Sequence, residues 1–117
     1  MSRWPADRAR TELLRALEPH VGPFTVLKAE SRDWASALFV GARHRLALAL
    51  DGPDGVARAD RLSESLPEME LDLRGGFVAD CQAIVTRADE RIVLGIEALT
   101  IEEAETLAIS RGARRAG

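Results

Sequence analysis

The chain has no tyrosine, no asparagine, one cysteine, one lysine, three phenylalanines and two tryptophans in 117 residues. A lone cysteine, Cys81, excludes an internal disulfide and any multi-cysteine metal knot. His20 and His44 are the only imidazoles, and no HExxH, CxxC or aspartate-rich calcium loop occurs, so neither a metal nor a cofactor is expected. No apolar run approaches the roughly 18 to 20 residues of a membrane span. The opening Met1-Ser2-Arg3-Trp4-Pro5-Ala6-Asp7-Arg8 lacks an apolar signal region, which points to the cytoplasm. Gly52-Pro53-Asp54-Gly55 and Arg74-Gly75-Gly76 lack the lysine and hydroxyl of a phosphate-binding loop and read as turns. Net charge is −3 and the aromatics are too few to align as a stacking platform, so nucleic acid is disfavoured as a partner.

An apolar fraction of 46% with 30% charged residues fits an ordinary globular chain. The length fits one compact domain over residues 1–117, with 1–5 and 112–117 expected to be flexible. Fifteen arginines stand against a single lysine, a usage common in GC-rich bacterial genomes.

Ala6, Ala9, Leu13, Leu14 and Leu17 recur at helical spacing, and Pro19 should end that helix. From Phe24 the period changes to two, giving a strand over 24–30 interrupted at Ser31-Arg32-Asp33. Residues 35–50 read as one long strand, bulged near Gly41. Its Leu38, Val40, Ala42, Leu46, Leu48 and Leu50 share one face, and Phe39, Arg43 and Arg45 the other. A short helix over 56–66 follows, closed by Pro67.

Residues 68–74 alternate charged and apolar side chains, the pattern of a half-buried strand. Residues 77–87 and 91–101 form a hairpin about Ala88-Asp89-Glu90. If 87 faces 91, Gln82 meets Ile96 and Cys81 meets Glu97, with Asp80 and Glu97 on opposite faces. Thr100-Ile101-Glu102-Glu103 has the form of a capping box, opening a final helix that runs to about Arg111 and stops at Gly112. The expected fold is therefore α+β: a single domain with a five-stranded, mainly antiparallel sheet and helices at both the N- and C-terminal ends.

His44 is the first candidate for chemistry, because it falls at a core-facing position between Ala42 and Leu46. An imidazole there must find hydrogen bonds or remain neutral. Together with Arg43 and Arg45 it is the candidate for binding a small ligand. With Asp80 or Glu97 it would be the catalytic candidate, although opposite parity argues against a carboxylate dyad. Cys81, between Ala79 and Ala83, lacks an evident activator and reads as a small core residue.

Trp34 is the candidate interface residue. Two helices leave sheet surface to cover, so a homodimer is the expected assembly, with another protein or a small molecule as the other partner classes. The functional expectation is a non-enzymatic structural or interaction domain that self-associates. A ligand-binding groove near His44 is the alternative, and a small enzyme comes third.

Overall fold

A computed structural model describes residues 4–103 of the chain, Ala88 by its backbone alone. Helix α1 (Ala6–Val21) leads into strand β1 (Phe24–Ala35) and strand β2 (Val40–Leu50). Helix α2 (Gly55–Ser65) and a 3-10 turn (Leu66–Glu68) come next, then β3 (Gly76–Ala88) and β4 (Arg91–Glu102). The strands pair antiparallel throughout, in the order β1-β2-β4-β3. Two hairpins are thus joined along the central β2–β4 seam, and α2 carries the chain between them. A Cβ at Gly41 would run into the Thr100 carbonyl oxygen, so only glycine permits this close approach of β4 at the end of the seam.

Both helices lie on one face of the sheet. The α1 helix covers β1 and β2, while α2 covers β3 and β4. Leu13, Leu17 and Val21 of α1 meet Leu46, Leu48 and Leu50 of β2, Leu94 and Ile96 of β4, and Ala59 and Leu62 of α2 in one buried cluster. Each fully buried leucine contributes roughly 1.5–3 kcal/mol of transfer free energy, so this cluster dominates stability.

Among the described residues the sheet has four strands, not five. Residues 69–73 keep the alternation of the sequence, with Met69, Leu71 and Leu73 turned inward, yet they pair with no strand. Helix α1 satisfies part of this segment: Arg15 Nη2 donates to the Asp72 carbonyl at 3.2 Å, and the Arg74 amide donates to Glu12 Oε1 at 3.0 Å. Alternation reports which side chains are buried; it does not say whether the backbone has found a ladder.

Other boundaries differ for identifiable reasons. The α1 helix runs through Pro19 to Val21, where Gly22 (φ +79°) ends it and its amide donates to the Glu18 carbonyl. Strand β1 continues across Ser31-Arg32-Asp33, which pair with His44, Arg43 and Ala42. Residues 36–39 form the β1–β2 turn, so Leu38 is exposed instead of core-facing. The register shifts between Val26 and Lys28 in β1 and between Val78 and Asp80 in β3, and neither shift lies at Gly41. Thr100 belongs to β4 and caps no helix, while the remainder of the expected C-terminal helix lies outside the described residues.

Candidate functional site

The β3–β4 turn decides which side chains share a face. Asp89 and Glu90 both have positive φ, +48° and +64°, the sign pattern of a two-residue type I′ hairpin turn. Ala88 therefore faces Arg91, and the pairing differs by one residue from that of a three-residue turn. A one-residue slip exchanges the faces of a strand relative to its partner. Gln82 pairs with Glu97 and Cys81 with Ala98, so Asp80 and Glu97 share the outer face.

Three charged rows cross the middle of that outer face, with Trp34, Gly41, Ile101 and Phe77 beyond one side and Thr25, Ala49, Val93 and Thr86 beyond the other. Arg32, Arg43, Leu99 and Asp80 form the first; Glu30, Arg45, Glu97 and Gln82 the second; Lys28, Ala47, Gly95 and Ile84 the third. The hollow above the first two rows has a volume of about 760 Å³. Arg45 Nε lies 3.2 Å from Glu97 Oε1, and Lys28 Nζ lies 3.5 Å from Glu30 Oε1. Arg32, Arg43 and Asp80 form no ion pair among the described residues. Arg32 and Arg43 also stand directly opposite each other across two strands, an arrangement that costs free energy unless an anion compensates it.

His44 projects to the other face, under the helices, and is 2% exposed. Ser31 Oγ lies 2.6 Å from its Nδ1, Thr100 Oγ1 lies 2.8 Å from its Nε2, and the Thr100 hydroxyl donates to the Ala42 carbonyl at 3.4 Å. These bonds close as a chain: Ser31 donates to Nδ1, the neutral ring donates from Nε2 to Thr100, and Thr100 donates to Ala42. Burial, followed by the charge of Arg10, lowers the imidazole pKa to about 4. His44 is thus separated from Arg43 and Arg45 by the thickness of the sheet. Ser31 is 13 residues away and Thr100 56, separations at which linear sequence offers no signal.

Cys81 is buried among the core side chains. Burial, with the Asp80 charge as the smaller contribution, pushes its thiol up to about 11. That leaves almost no thiolate near neutral pH. His20 is exposed in the last turn of α1, and Trp34 is half-buried near the end of β1, opposite Gly41. No group of three or more histidine, cysteine, aspartate or glutamate side chains converges as metal ligands do among the described residues. No described helix is long and apolar enough to cross a membrane.

A second buried polar residue, Arg58 of α2, was not legible as important. Its Nη1 donates to the Val21 carbonyl at 2.9 Å, and its Nη2 donates to the carbonyls of Pro23 at 3.2 Å and Asp51 at 2.6 Å. Asp54 Oδ1 stands 3.5 Å from its Nε. One guanidinium therefore joins the end of α1, the α1–β1 turn and the β2–α2 loop. The only linear signal was an arginine four residues before Leu62 on the buried side of an amphipathic helix.

Comparison with known protein families, with curated proteins and with solved structures finds no match to this chain.

Proposed function

We propose that this is a non-enzymatic interaction domain whose working surface is the outer face of the sheet, and that it self-associates through that face. The observation that carries the reading is the contrast across one sheet. Two helices close the inner face, whereas the middle of the outer face stands in solvent with Arg32, Arg43 and Asp80 in no ion pair among the described residues. A non-enzymatic role is supported by His44, whose two nitrogens are both bonded and whose pKa of about 4 makes it a weak base near neutral pH. The carboxylates Asp80 and Glu97 lie on the far side of the sheet from it.

Sedimentation velocity of the full chain from micromolar to hundreds of micromolar tests this reading. A concentration-dependent rise toward twice the monomer mass is expected. A monomer at every concentration would remove self-association from the proposal.

The hollow favours a second reading, a site for a small carboxylate or phosphate ester held by Arg32, Arg43 and Arg45. Calorimetric titration with citrate and with inorganic phosphate checks it. Saturable heat that disappears in Arg43→Ala would support ligand binding, and no heat from either anion would count against it.

A further inference from the structure

The charges on the outer face are divided by position. In the three rows, β1 and β2 present Lys28, Arg32, Arg43 and Arg45 against the single acid Glu30, while β4 and β3 present Asp80 and Glu97 and no cation. Across these three rows one half is therefore cationic and the other acidic, with the boundary along the β2–β4 seam, and Arg91 of β4 lies on the same face two rows further on. A surface divided in this way is complementary to itself under one particular rotation.

Resting on the self-association reading, we infer that the occupant of this face is a second copy of the chain, laid face to face about a two-fold axis parallel to the strands at the β2–β4 seam. That operation sets β1 over the partner copy's β3 and β2 over its β4. Each first row then meets its equivalent reversed, so that Asp80 of one copy stands over the Arg32 end of the other, beside Arg43. In the second row, Arg45 of one copy meets Glu97 of the other, extending the ion pair already present within each chain. In the third row, Ala47 meets Gly95, two small residues that let the sheets approach, and the methylene stem of Lys28 covers the exposed Ile84. The strands of the two sheets then run nearly aligned, the ordinary geometry of sheet-on-sheet packing. A two-fold axis perpendicular to the strands would instead put Asp80 over the β3 edge of the other copy and leave the arginines facing arginines.

The size of the patch agrees. Four strands about 4.8 Å apart, across the three charged rows and the adjoining row of Thr25, Ala49, Val93 and Thr86 at about 6.8 Å spacing, give roughly 500 Å² per copy. The pair then buries about 1,000 Å², near the lower bound for a specific interface, as suits a reversible dimer. Because its contacts are charged and partly solvated, this dimer weakens as salt rises.

Charge exchange between two variants tests the geometry. Asp80→Arg alone places arginine on arginine at both symmetry-related contacts, and Arg32→Glu with Arg43→Glu alone places acid on acid. Each is expected to weaken the dimer at least tenfold. Mixing the two proteins makes both contacts attractive again, and native mass spectrometry should show the mixed dimer in preference to either homodimer. Circular dichroism melts check that both variants are folded. If wild-type protein dimerises and both variants dimerise equally well, or the mixture gives no mixed dimer, this geometry is wrong while self-association stands. If wild-type protein never dimerises, the reading beneath it falls as well.

Discussion

On the inner face of the sheet His44 is 2% exposed and each ring nitrogen has a hydroxyl partner; its neighbours Arg43 and Arg45 point the opposite way and stand in water. The same strands thus carry two environments 180° apart. Inside, leucines from α1, β2 and β4 meet, and polar groups survive only where bonds are complete. Outside, Ile84 is 66% exposed beside a field of charges, some of them unpaired. The contrast teaches which face holds the fold and which is free to evolve contacts.

The strongest way to break that contrast is to open the inner face. Leu94→Ala removes a fully buried side chain from the central strand and should cost about 3–5 kcal/mol, read as a lower midpoint in urea unfolding. Acid is next. His44 is neutral in the fold with a pKa of about 4, against 6.5 when unfolded, so the unfolded chain binds more protons between those values. Stability from this residue is complete above pH 6.5, declines as pH falls and levels off near 4, a total of about 3 kcal/mol. Unfolding midpoints over that range should lose this dependence in His44→Gln.

Arg58→Lys keeps a charge but replaces the planar fork with one ammonium, which cannot serve the carbonyls of Val21, Pro23 and Asp51 together. A loss of about 1–3 kcal/mol is expected, with faster amide exchange at the end of α1. The smallest effect sharpens the comparison from the other side. Ile84→Thr should change monomer stability by less than about 0.5 kcal/mol, measured by thermal unfolding at low concentration.

Much of the inner face was legible from sequence, and much of the outer face was not. Helical spacing found α1 and α2 because one apolar stripe recurs every three to four residues through Leu13 and Leu17, and through Ala59 and Leu62. Period-two alternation marked Leu46, Leu48 and Leu50 as core. The same signal misread Leu71 and Leu73 as part of a fifth strand, because inward-facing alternation arises equally in an extended segment bonded to helix side chains. Register was the larger loss. Whether Asp80 and Glu97 share a face depends on one residue of turn length, and Asp89-Glu90 lacks the glycine or asparagine that usually advertises a type I′ turn. The partners of His44 depended on a different pairing, since Thr100 reaches it only because β4 docks beside β2.

Methyl NMR of the full chain across a dilution series tests the functional division of the sheet most directly. Methyl groups of Ile84, Val93 and Leu99 on the outer face should shift with concentration, while those of Leu48 and Leu94 stay fixed. Outer-face methyls that do not move in a sample whose mass doubles would place self-association elsewhere and contradict the account.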